Sequence, residues 1–165
     1  MVLPKTIQSE REDLQEGVIK REKAGFVMEF DTFCAFKSAL EEIFSPSAAY
    51  VILGSAANKC GRQSCKSIAK KIKDKGNVLA YLSHRKESMN WGEITFQEVD
   101  LQNGKGKIQV NNSFESLTLN CAQPSCHFLR GFFVGFLSEL FNREISVTEV
   151  KCVGKGDDSC RFEFE

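Results

Sequence analysis

Pro124–Glu165 reads PSCHFLRGFFVGFLSELFNREISVTEVKCVGKGDDSCRFEFE, and this stretch decides the fold. Pro124 suits the first turn of a helix, where its missing N–H is one the helix does not need. The run that follows, CHFLRGFFVGFLSELFN, is apolar almost all round, so this helix has no face to give to water and must be central and buried. Gly131 and Gly135 leave one narrow stripe on it where another backbone can approach closely. The period then changes. Ile145 to Val153 and Ser159 to Glu165 read as two short strands joined by the turn Gly154-Lys155-Gly156-Asp157-Asp158.

Working back from there, Asp31 caps a helix running to Phe44, with Phe33, Phe36, Leu40, Ile43 and Phe44 at helical spacing. Ser45-Pro46-Ser47 ends it, and Pro46 also opens the next. Ala48 to Ile72 is helix-forming with a break expected around Asn58 to Gly61, and a third helix spans Asn77 to about Met89. Glu93 to Leu101 and Lys107 to Val110 alternate on either side of Asn103-Gly104-Lys105-Gly106, which reads as a hairpin. Ser113-Phe114-Glu115 begins a loop or short helix containing Cys121. At the other end, Gly17 to Phe30 reads as two short strands turning at Gly25, behind a flexible charged lead-in over residues 1–16. The expected architecture is a single α+β domain over residues 17–165. Helices pack on a small twisted antiparallel sheet, with a buried central C-terminal helix and a terminal hairpin.

The chain has 165 residues with Lys plus Arg 22 and Asp plus Glu 22, a formal net charge of zero. A general nucleic-acid binder or a polybasic membrane anchor needs a basic surplus that this composition lacks. The 14 phenylalanines, against 2 tyrosines and 1 tryptophan, point to a core or pocket rich in rings without a polar handle. The 7 cysteines are an odd number, and Met1 to Gly17 is polar, with no apolar signal segment. The longest apolar region, Phe128 to Phe141, is interrupted by Arg130, Ser138 and Glu139 and is too short for a membrane span. A reducing, cytoplasmic compartment is expected, where metal binding or thiol chemistry outranks structural disulfides.

Glu149 shares its strand face with Ile145 and Val147, so its carboxylate is aimed at the core, where it is costly unless paired or bound to a metal. Cys160 shares a face with Phe162 and Phe164 and also points inward. Cys152 has the opposite parity to Glu149 and reaches the same point only through a bulge or strand end. Cys126 sits in the first turn of the buried helix, where the helix N-terminus favours a thiolate. Three thiolates and one carboxylate complete a tetrahedral set for zinc and leave no position for water. The residues equally fit buried thiols beside a glutamate in an ordinary ion pair.

From Cys126 to Phe164 the chain shows a cysteine followed by Gly131-x-x-x-Gly135, then Glu149-x-x-Cys152, Gly154-x-Gly156-Asp157 and Cys160-x-Phe162. This pattern resembles the signature of the 4-vinyl reductase domain family. A looser similarity in helix order and in Trp91-Gly92 before the hairpin extends back to Asp31. The resemblance implies a fold similar to TRAPP vesicle-tethering subunits and, more distantly, to heme-dependent nitric-oxide sensors. In zinc-bearing members the ligands are a cysteine opening the buried helix, a glutamate on the next strand and two cysteines flanking its turn. By that resemblance a structural zinc is held by Cys126, Glu149, Cys152 and Cys160.

The resemblance also implies a small-molecule-binding or sensing module acting as a homodimer, with Phe128, Phe132, Phe133 and Phe136 as candidate lining of a pocket for an apolar or aromatic ligand. Helical core packing accounts for the same stripe. Two alternatives accompany it: a tetrapyrrole vinyl-group reductase or accessory enzyme, and an interaction scaffold using the Gly131–Gly135 stripe. Against catalysis, no glycine-rich dinucleotide fingerprint and no flavin motif is present, and no catalytic residue is singled out. Cys34, Cys60, Cys65 and Cys121 form a spare set, read as packed thiols or as oxidation sensors. His127 points about 100° away from Cys126 on a helix, and His84 reads as a solvated helix residue.

Overall fold

The first helix of the computed structural model, which describes residues 28–116 and 123–165, is α1 (Phe30–Phe44). Glu29 stands at its cap position and Asp31 lies inside the first turn, where its charge still complements the helix N-terminus. Phe30 is therefore helical and not the end of a strand, and the remainder of the expected Gly17–Phe30 strands, through residue 27, lies outside the described residues, as does Cys121. Ser45 separates α1 from α2 (Pro46–Ala69) and accepts a hydrogen bond from the Ala48 amide at 3.3 Å, with Pro46 in the first turn. Asp74 caps α3 (Lys75–Glu87) by accepting from the Asn77 amide at 2.8 Å.

Strands β1 (Glu93–Asp100) and β2 (Lys105–Asn111) form the first hairpin. Helix α4 (His127–Phe141) follows, opening three residues later than Pro124 suggested, and then β3 (Val147–Lys151) and β4 (Cys160–Phe164). The sheet is antiparallel throughout with strand order β1-β2-β4-β3. The last strand is thus internal: Phe162 lies opposite Ile108 on one side and Glu149 on the other.

Helix α4 is the centre of the molecule, as its composition required. Leu129, Phe132, Phe133, Phe136 and Leu137 are buried, and Phe133 meets Phe162 of the sheet edge-on at 5.3 Å between ring centroids. The opposite side packs backbone to backbone on α2. A methyl group at Gly131 would strike the Gly54 backbone, one at Gly135 the Asn58 carbonyl, and one at Gly61 the backbone of Phe132 and Phe136. The glycine stripe is therefore spent inside the chain and not on a partner. The same contact explains why α2 runs unbroken through Asn58–Gly61, against the break expected there. Gly61 costs some helix propensity, but its missing side chain lets α2 and α4 touch. Gly135→Ala should destabilise by about 2–3 kcal/mol, because the obstacle is backbone that cannot rotate away. Urea denaturation followed by circular dichroism measures this, and an unchanged midpoint would contradict the close contact.

On α1 the apolar spacing misassigned the inner face. Lys37 is buried, while Phe36, Ile43 and Phe44 are exposed and join Val51 and Ile52 of α2 in an uncovered apolar surface. Among the described residues no helix is long and apolar enough to cross a membrane.

Candidate functional site

Three elements deliver four donors to one point. Cys126 is the residue that caps α4, Glu149 lies in β3, Cys152 follows that strand, and Cys160 opens β4. The register between β3 and β4 shifts between Glu149 and Lys151, with Val150 exposed at the irregularity. This bulge reverses the parity and turns the Cys152 side chain to the side that Glu149 faces. The short 3₁₀ turn Val153–Lys155 then carries the chain back, held by the Cys152 amide donating to Asp157 at 2.8 Å.

The three sulfurs and a Glu149 carboxylate oxygen all lie within 4.8 Å of one another. The Cys126 and Cys160 sulfurs are 3.5 Å apart, and those of Cys126 and Cys152 are 3.9 Å apart. Among the described residues this is the one group of histidine, cysteine, aspartate or glutamate side chains close enough to share an ion, and the four groups could hold a metal. Glu149 accepts from the Cys126 amide through Oε2 at 3.0 Å, whereas its Oε1 is buried without any hydrogen-bond partner. A buried bare carboxylate oxygen beside three thiols has an empty acceptor role that a cation would fill.

The electrostatics describe a cluster short of positive charge. Burial pushes the Glu149 carboxyl up to about 8, despite hydrogen bonds from Cys126. Donation from the Cys126 and Cys160 thiols holds Cys152 far below the ordinary thiol range, with the backbone N–H groups of Ser125 and Gly154 assisting. Cys126, as that donor, is pushed far up, first by its hydrogen bond to Cys152 and then by Cys160 and burial. Without a cation, the buried thiols must therefore share protons so that only Cys152 carries the thiolate. A divalent ion removes that restriction by taking the place of the protons.

Around the donors lies a layer that sequence reasoning missed. The Ser116 hydroxyl is 3.1 Å from the Cys160 sulfur. Glu115 is fully buried and accepts from the first-turn amides of α4, Phe128 at 2.9 Å and Leu129 at 2.8 Å. Lys37 of α1 pairs with Glu115 at 3.7 Å and donates to the Ser125 carbonyl at 2.7 Å. Lys37 was the available signal: it falls four residues after Phe33 and three before Leu40, a lone cation on an otherwise apolar helical stripe.

The other singled-out residues lie elsewhere. His127 packs edge-on against Tyr50 at 4.7 Å, and burial pushes its imidazole down to about 4. Cys34, Cys60 and Cys65 are free thiols on α1 and α2 that do not gather, and burial pushes Cys65 up to about 11. The four phenylalanines of the candidate pocket point to different sides of α4. Phe132 stacks on Phe136 at 6.0 Å, Phe133 faces the sheet, and Phe128 meets Phe33, Trp91 and Phe114.

With this geometry in hand, the similarities to known proteins are informative. Residues 107–165 match the family model of the 4-vinyl reductase domain. MJ1460, an uncharacterized protein of Methanocaldococcus jannaschii, is 34% identical over 79 residues, which are 47% of this chain and 48% of its own length. The chain thus spans about half the length, or less, of the curated relatives it matches. Among solved structures, the phenol-responsive sensory domain of the transcription activator PoxR, determined with phenol, aligns with a TM-score of 0.77 at 15% identity, over 98% of this chain and 90% of that one. A vinyl-4-reductase family protein from Methanocaldococcus jannaschii aligns with a TM-score of 0.60 at 22% identity, over 99% of this chain and 96% of that one. These two structures share the α+β fold. The sequence match carries more, because it spans β2, α4, the terminal hairpin and all four clustered donors: residues 107–165 are a 4-vinyl reductase domain.

Proposed function

We propose that the chain is a small-molecule-binding sensory module whose terminal hairpin is pinned to α4 by a structural zinc on Cys126, Glu149, Cys152 and Cys160. One observation carries this reading. A tetrahedral zinc with bonds of about 2.3 Å to sulfur sets neighbouring sulfurs about 3.8 Å apart, and the two measured separations are 3.5 and 3.9 Å. The unpartnered Glu149 Oε1 completes the set. Soft thiolates and a compact carboxylate suit zinc better than magnesium or calcium. When bound, the ion supplies positive charge and a cross-link. Four protein donors leave no open position for a reacting water.

The sensory half of the reading is supported by the fold shared with the phenol-responsive domain and by the rings around α4, Phe128, Phe132, Phe133 and Phe136, as an apolar ligand's surroundings. Cytoplasmic thiol conditions suit the cluster, and the uncovered Phe36, Phe44 and Val51 surface favours a homodimer, which light scattering would report as two chains per particle. Mass spectrometry of the purified protein tests the core of the proposal. About one zinc per chain is expected, falling at least tenfold in Cys126→Ser. Reduced wild-type protein without metal would overturn the zinc assignment and return the four residues to core packing.

A further inference from the structure

Near the end of α3, a lysine is buried where none is needed to hold the fold. Lys86 is 6% exposed, and among the described residues it makes no hydrogen bond and no ion pair. Its Nζ instead sits 3.3 Å from the centroid of the Trp91 ring and 4.4 Å from that of Phe132. Ring faces attract a cation, but an ammonium carries three donors and a ring offers no lone pair to accept them. Lys37, the other buried lysine, shows what a satisfied one looks like here, with a carbonyl acceptor at 2.7 Å and a carboxylate at 3.7 Å. Lys86 has a positive end, an apolar surround and no anion.

The rings near it are arranged as walls. Trp91 meets Phe132 at 5.1 Å, Phe114 at 5.4 Å and Phe128 at 5.6 Å between centroids, all at steep angles. Trp91, Phe114 and Phe128 are half-buried, so this cluster reaches the surface while Lys86 and Phe132 lie at its floor. It opens beside the Phe114-Glu115-Ser116 segment, whose Ser116 hydroxyl touches the Cys160 sulfur.

We propose that Lys86, Trp91 and Phe132, rimmed by Phe114 and Phe128, form the seat of a small organic acid, with its carboxylate on the Lys86 ammonium and its apolar body against the rings. This rests on the ligand-binding reading above and gives it a ligand class, an anion with an aromatic or short acyl body. Burial, with Arg85 nearby, lowers the lysine to about 8, as expected of an ammonium short of a counter-charge. A bound carboxylate supplies that charge and accepts the unused donors.

Trp91 is the 1 tryptophan of the chain, so its fluorescence reports on this seat alone. The zinc-loaded full chain is titrated with benzoate and hexanoate, with benzamide and hexanamide as neutral counterparts, and with phenol. At least one acid should shift Trp91 emission saturably and bind at least tenfold more tightly than its amide. Lys86→Met should abolish that preference at unchanged circular dichroism and zinc content, and Lys86→Arg should keep part of it. Amides binding as tightly as acids in the wild type would overturn the proposal even if Lys86→Met fails to fold. Saturation by phenol alone would also overturn it while leaving the ligand-binding reading in place. Saturation by none of the five would count against both.

Discussion

Stripping the metal from the Cys126–Glu149–Cys152–Cys160 cluster with a chelator should lower the thermal unfolding midpoint by roughly 8–16 °C, and one equivalent of zinc should restore it. An ion present at a thousand times its dissociation constant stabilises the folded state by about 4 kcal/mol, and in a domain of this size each kcal/mol moves the midpoint by about 2–4 °C. The effect is large because the stripped site has nowhere to put its charge. Glu149 Oε1 stays buried without a partner, and three sulfurs within 4.8 Å of one another must keep protons that a metal would have displaced. It also spreads, since β4 lies inside the sheet between β2 and β3, so loosening Cys160 loosens both ladders. Calorimetry with and without chelator measures the shift. Cys160→Ser should behave like the stripped protein, whereas Cys60→Ser, at an exposed position on α2, should unfold like wild type. An unchanged midpoint in chelator would count against the metal.

Much of this site was legible because its signals are local. Alternation alone placed Glu149 and Cys160 on the inner face, and the parity of Cys152 demanded the bulge that the β3–β4 register contains. The all-round apolar character of Phe128–Phe141 made α4 central before any contact was known. The strand order was not legible in the same way. Nothing within Cys160–Phe164 says that its second neighbour is β2, because that pairing is chosen by how two hairpins meet under one helix. Gly61 misled for a related reason: a glycine that opens space for a facing backbone looks, in one dimension, like a helix break. Lys37 and Glu115 were missed because each alone reads as a solvated charge, and only the fold brings residues from α1 and the 113–116 loop together at the start of α4.

That pair carries the second large effect. Glu115→Ala should destabilise the protein by about 3–5 kcal/mol, because it leaves the Lys37 ammonium buried against a lone carbonyl and frees the amides of Phe128 and Leu129. Lys37→Met should cost less, since a carboxyl, unlike a buried ammonium this close to a carbonyl, can take up a proton and become neutral. Burial pushes Glu115 up to about 7 against the pull of Lys37 and the two amides. The folded chain therefore holds this proton at pH values where the unfolded chain, with an ordinary carboxyl near 4.5, has lost it. The contribution of Glu115 to stability is accordingly complete below about pH 4.5 and declines as pH rises through about 7. Urea midpoints at pH 5 and pH 7.5 should differ in that direction in wild type, and the difference should shrink in Glu115→Gln, which cannot titrate. Taking the change between wild type and variant at each pH cancels the titration of Glu149 and the thiols, which both chains share. A pH dependence identical in the two would mean that Lys37 and the helix amides hold Glu115 ionised throughout. The pair would then act as a fixed strut between α1 and the first turn of α4, and Lys37→Met would be expected to cost as much as Glu115→Ala.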